Sequence, residues 1–196
     1  HGAQPHAKAH YSIFVAEVAS TVNEVLLLKY MIGNASDKKD KKYLLTYYLD
    51  MFRTTLFRQT MFAEFEKLSH DMAKGLPLTP KSLSDKYYKL NKKYYGKAVT
   101  HDNLIRYEWA RIPHFYTAFY VYKYSTGLTA AVNIANAILT KGESAVADYK
   151  RFLKSGGSDS PYELLKIAGV DLMDKTPFNN AMNEFKATLE QLKKEF

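Results

Sequence analysis

Glu17 stands in the stretch "YSIFVAEVAST" (Tyr11 to Thr21), flanked by Phe14, Val15, Ala16, Val18 and Ala19. An ionised carboxylate taken into an apolar interior without a partner costs more free energy than one residue's packing returns. An acid in such a place is neutral, paired with a cation, or bound to a metal ion. Glu24 follows seven residues later, two turns along the same helical face. Two acids so spaced suit a metal ligand backed by a carboxylate that orients a further ligand. A bridge from Glu17 to an arginine or lysine inside a helical core fits the spacing at least as well.

A second group lies in "RIPHFYTAFYVYKYSTG", Arg111 to Gly127. His114 follows Pro113 and is expected at a helix start, where the dipole's partial positive charge discourages a second proton. Tyr116 and Tyr120 share a face if the segment is helical, as do Tyr120 and Tyr124, and His114 and Tyr122 are nearly aligned. A histidine and tyrosine hydroxyls converging on a cleft could donate hydrogen bonds to a developing oxyanion. A tyrosine-rich packing helix with a capping histidine explains the same residues.

The elements that must position these groups are helical. Apolar residues recur at three- and four-residue spacing from Tyr11 to about Ile32 (Tyr11, Phe14, Val15, Val18, Val22, Leu26). "IGNASDKK" breaks the pattern, and a long second helix is expected from about Asp40 to Met72, with Leu44, Tyr48, Met51, Phe52, Thr55, Phe62 and Phe65 inward. Gly75 suits a left-handed C-terminal cap. Thr79-Pro80 opens a third helix to about Tyr95. "LIRYEWARI" reads as a short helical segment, and "HFYTAFYVYKYSTGLTAAVNIANAIL" as a further long helix. "ESAVADYKRFLKSGG" is another, Ser160 to Glu163 a capping box, and Thr176-Pro177 the start of a last amphipathic helix to Phe196. Alternating β-branched runs bounded by hairpin turns are absent, so the expected class is all-α.

Composition sets wider bounds. The 196 residues suffice for one domain with a substantial core or two small ones. No cysteine is present, which excludes disulfides and thiolate metal sites. No apolar run is long enough to span a bilayer and no signal peptide is visible, so a cytoplasmic location and no membrane partner are expected. The net charge of +8 raises polyanion binding, but the excess sits in clusters such as "DKKDKK" and "LNKKYYGK" that read as solvated loops and helix ends. Nucleic acid is not an expected partner. A basic polyanion-binding module and a helical scaffold domain without catalysis remain as alternatives to an enzyme.

Together, "IFVAEVAST-NE" and "ARIPHFYTAFYVYKYSTGLTAA" closely resemble the C-terminal catalytic region of oligoendopeptidase F, a bacterial zinc metallopeptidase of the thimet oligopeptidase type. The resemblance extends over nearly the whole chain. It implies an all-helical, two-lobed body around a deep channel, in which zinc activates water to hydrolyse short peptides. The zinc of that family is held by two histidines of an H-E-x-x-H helix and a glutamate of the next helix, which corresponds to Glu17. Glu24 matches the later, supporting acid of that helix. His114 and Tyr122 match residues that bind substrate and stabilise the oxyanion, with Tyr116 and Tyr120 as helpers.

The chain departs from the family pattern in one respect. No H-E-x-x-H occurs among its histidines, His1, His6, His10, His70, His101 and His114. In relatives the motif lies just upstream of "AQP". A lone glutamate does not hold catalytic zinc, which needs three protein ligands. His6 and His10, in "HAKAH", read as surface residues. The resemblance thus implies a C-terminal piece, inactive by itself, of a peptidase whose N-terminal part is its partner. Residues 1–10 are then an N-terminal segment, with His1-Gly2 either a cloning remnant or native, and residues 11–196 the helical part of the catalytic domain. Self-association of such a piece is left open, because a missing neighbour bares apolar surface.

Overall fold

Three- and four-residue apolar spacing gives helices along the chain, as a computed structural model of residues 2–75 and 77–196 shows. In order they are α1 (His6–Ala9), α2 (Ile13–Asn34), α3 (Lys38–Met51), α4 (Arg58–Ala73), α5 (Pro80–Tyr95), α6 (Tyr122–Lys141), α7 (Glu143–Lys154), α8 (Pro161–Ile167) and α9 (Thr176–Lys194). A π-helical turn, Phe52–Phe57, joins α3 to α4, and 3-10 turns cover Asn103–Arg111 and Pro113–Tyr116. No strand occurs among the described residues. The all-α expectation holds. His1, of the His1-Gly2 pair, and Leu76, in the break after α4, lie outside the described residues.

The chain folds as two units, one from residues up to Arg53 together with Thr126–Phe196, the other Thr54–Ser125. In the first, α2 buries Val15, Val18 and Val22 against Ala130, Ala131 and Ile134 of α6, Tyr149 and Phe152 of α7, and Leu164 and Leu165 of α8. Tyr149 ties α7 to α2 by donating its hydroxyl to the carbonyl of Ala19 at 3.2 Å. Phe52 packs between Tyr48 and Phe185, at ring separations of 5.3 and 5.6 Å. Glu184, half-buried in this unit, takes hydrogen bonds from Lys29, Tyr48 and Asn136. Burial first, then the Glu184 charge and hydrogen bond, pushes the Tyr48 hydroxyl far above its ordinary value.

The segment ahead of α2 is fastened to the turn after α7. Gly157 donates its N–H to the carbonyl of Lys8 at 2.8 Å, and Gln4 donates its amide to the carbonyl of Lys154 at 2.9 Å. Gly156 sits at φ +53°, and a Cβ at Gly157 would run into the carbonyl oxygen of His10. Both positions therefore demand glycine, one for its backbone angle and one for space.

The second unit is centred on aromatic packing. Met61, Phe62 and Phe65 of α4 meet Tyr87 and Leu90 of α5, with Ile112 and Val121 completing the cluster. Glu108 is buried here and accepts from Arg58 at 2.6 Å, Arg111 at 2.8 Å and the Tyr87 hydroxyl at 2.5 Å. Burial alone would raise the Glu108 carboxyl, but the Tyr87 and Arg58 hydrogen bonds and the two guanidinium charges hold it below its ordinary value. Thr79 caps α5 through a reciprocal capping box with Ser82, the expected start signal.

Five sequence expectations change. At the start of α8 only half of the expected capping box forms: Glu163 donates its N–H to Ser160 Oγ at 3.3 Å, while the Ser160 N–H is donated to the Asp159 carboxylate at 2.7 Å. The single helix from Asp40 to Met72 is interrupted by the π-helical turn, and its extra residue buries Leu56 where Thr55 was expected. Gly75 is not among the glycines with positive φ; α4 ends on Lys74 in right-handed conformation. Thr176 is the first residue of α9, not its cap, and its N–H is taken by the Asp174 carboxylate at 2.9 Å. The long helix from His114 does not form: a 3-10 turn ends at Tyr116, and α6 begins only at Tyr122.

Candidate active site

Glu17 is held in the first unit by the middle of α2, between the buried Val15 and Val18, and is half-buried. Its backbone carbonyl takes the hydroxyls of Ser20 (3.0 Å) and Thr21 (2.7 Å), which leaves those groups turned to the main chain. Among the described residues, its carboxylate makes no hydrogen bond and no ion pair. Its Cβ lies 3.8 Å from where a Cβ on Gly127 of α6 would stand, so the glycine leaves space beside the acid. Among the described residues, the core ion pair that the spacing also allowed is therefore not formed. Glu24, two turns on, is exposed and accepts the Tyr47 hydroxyl at 3.2 Å. That bond, then the charge of Glu24, raises the Tyr47 hydroxyl above its ordinary value.

A single free carboxylate fits one position of a zinc site, and no more. Among the described residues no three His, Cys, Asp or Glu side chains gather to hold a metal. His6 and His10 face each other edge-on with ring centres 6.5 Å apart.

The second unit carries the histidine and tyrosines. Without the long helix, the expected helical alignment of His114 with Tyr122, and of Tyr116 with Tyr120, does not arise. The helix dipole argument for His114 lapses with it, because His114 sits in a four-residue 3-10 turn. What forms instead is a ring cluster. His114 stacks on Tyr120 with centres 5.7 Å apart, and Tyr124 meets both edge-on at 5.8 and 5.7 Å. The Tyr124 hydroxyl lies 3.3 Å from His114 Nε2. Lys123 places its ammonium 4.9 Å from the Tyr120 ring centre. Tyr116 stands 83% exposed, its hydroxyl 3.5 Å from the Ala110 carbonyl.

Tyr122 opens α6 and lines a groove of about 830 Å³ with Glu66, His70 and Phe119. Phe119 adopts φ +53°, and its N–H is donated to Glu66 Oε1 at 2.6 Å. The sequence reading passed over Glu66, although it repeats the signal of Glu17: an acid directly after Phe65 and one turn after Phe62. The sequence places Tyr124 on one face with Tyr120 and offers no sign of its contact with His114. Phe119 carries no sequence signal, since a left-handed position usually holds glycine or asparagine.

Comparison with known proteins bears on the family and the fold. The sequence profile of Peptidase family M3 matches residues 1–184. Oligopeptidase PepF of Bacillus subtilis is 50% identical over 96% of the chain, and an oligoendopeptidase F homolog of Borreliella burgdorferi 45% identical over 98%. The crystal structure of oligoendopeptidase-F from Enterococcus faecium superposes with a TM-score of 0.89 at 47% identity, over 94% of the chain. The chain spans only 28%, 33% and 36% of these three proteins. A match of this extent, with a fold to go with it, places the chain in Peptidase family M3.

Proposed function

We propose that the chain supplies one zinc ligand and the oxyanion-binding residues of a peptidase that hydrolyses short peptides. The observation that carries this reading is the carboxylate of Glu17, half-buried between valines and without a hydrogen bond or ion pair among the described residues. A carboxylate so placed is costly unless something outside these contacts takes up its charge, and a metal ion does so. Zinc, when bound, lowers the pKa of its water to about 7 and polarises the scissile carbonyl.

The residues of the chain then divide the work. Glu17 offers one oxygen ligand from a rigid helix, the other two coming from an H-E-x-x-H helix outside this chain. Glu24, held by Tyr47, supports the site two turns away. His114, kept in orientation by stacking on Tyr120 and by the Tyr124 hydroxyl, holds a ring nitrogen available to a substrate carbonyl. Tyr122, a 40% exposed residue at the head of α6, donates to the oxyanion, a contact typically worth about 3 kcal/mol. Tyr116 and Tyr120 help in binding the peptide. The family similarity supports peptides as substrates; no helix among the described residues is long and apolar enough to cross a membrane.

The test compares two forms of the protein with a quenched fluorescent peptide and added zinc. The 196-residue chain alone is expected to give no turnover above a buffer blank. A full-length protein containing it should hydrolyse the peptide, and Glu17→Ala should remove both activity and bound zinc. Stoichiometric zinc retained by Glu17→Ala, measured by atomic absorption, would take Glu17 out of the ligand set.

A further inference from the structure

We propose that Glu66 is a positioning residue of this site: its buried carboxylate holds the Phe119 amide and so fixes the course of the backbone between His114 and Tyr122. The inference rests on the peptidase reading above. Phe119 is, among the described residues, the one non-glycine with positive φ. The left-handed region crowds a Cβ against the following carbonyl, and phenylalanine has no short polar group to compensate. Burial does not explain the conformation either, because Phe119 is 50% exposed. Something else must hold it.

Helix α4 does so at two points one turn apart. Glu66, 4% exposed, accepts the Phe119 N–H at 2.6 Å, a short charge-assisted bond. His70 stacks on the Phe119 ring, with centres 4.7 Å apart and planes at 30°. Residues four apart lie on one helical face, so backbone and ring are gripped from the same side. The nearby cations are engaged elsewhere, since Lys67 and Lys74 both pair with Asp71. Among the described residues Glu66 makes no ion pair. Burying a carboxylate against a single amide gains little stability, which points to the conformation it enforces. Were Phe119 to relax to an ordinary negative φ, the chain would turn through more than a right angle between the His114 ring cluster and Tyr122. The donors to the substrate would then separate or misalign.

The experiment uses the full-length protein with zinc and three forms: wild type, Glu66→Ala and Glu66→Gln. Glutamine keeps an acceptor oxygen at the same reach. Glu66→Ala should lower kcat by roughly tenfold or more, because misplaced groups lose rate steeply, with KM and zinc content little changed. Glu66→Gln should recover most of that loss. Hydrogen exchange of the peptide covering residues 112–121 should be fast in Glu66→Ala and protected in Glu66→Gln. An unchanged kcat in Glu66→Ala, or a glutamine variant as impaired as alanine, overturns the proposal. If wild type itself turns over no peptide, the peptidase reading fails, and the exchange measurement still decides the hold. Protection lost only in alanine supports it; equal protection in all three removes it.

Discussion

The two units carry acids of opposite kinds. In Thr54–Ser125, Glu108 is surrounded by Arg58, Arg111 and Tyr87, every oxygen occupied. In the other unit, Glu17 sits on a regular helix with its carboxylate unengaged by the described residues. The first acid cross-links elements; the second is held at an address and left available. Packing therefore separates a carboxylate that builds the fold from one without a described partner, which the proposed function assigns to a metal ion, although both stand among apolar neighbours in the sequence.

The sharpest break of this comparison is a stability measurement. Glu108→Ala leaves Arg58 and the Tyr87 hydroxyl without their partner, and should cost about 3–5 kcal/mol by urea unfolding, as for a broken buried ion pair. A loss below about 1 kcal/mol, the range of exposed pairs, would reduce Glu108 to a surface bridge. A smaller effect should appear in acid. The Glu108 carboxyl lies below its ordinary value of 4.5 in the folded protein. The stability it contributes is thus present above about pH 4.5 and lost as pH falls through the lower folded value. Fluorescence of Trp109, the chain's single tryptophan, follows this unit, and Glu108→Gln should flatten the acid limb of its profile. The smallest change belongs to Glu17. With no described partner to lose and an unpaired half-buried charge removed, Glu17→Gln should leave unfolding stability equal to wild type or higher by up to about 1 kcal/mol. A clear destabilisation would show that Glu17, too, serves the fold.

What the sequence revealed follows the same division. Helices α2, α5, α7 and α9 follow from apolar periodicity and from signals such as Thr79-Pro80, because in them local preference and burial agree. The segment from Pro113 to Val121 did not show itself. Its His, Phe, Tyr and Ala residues are compatible with a helix, and no glycine marks the left-handed turn at Phe119. The hold comes from Glu66, 53 positions away, and a window of one helix cannot see it. The π-helical turn at Phe52–Phe57 was hidden likewise, since one extra residue leaves composition unchanged and shifts only which side chain is buried. Of the site, the residue types were legible and their grouping was not: the sequence aligned His114 with Tyr122, whereas the fold stacks it on Tyr120 and sets Tyr124 edge-on to it.

The glycine pair after α7 has a genetic consequence. Since no side chain fits at Gly157, a substitution there would push off the strip of chain that leads into α2 and change the angle at which that helix starts. Such a lesion, distant in the gene from the codon for Glu17, would imitate damage to Glu17 itself.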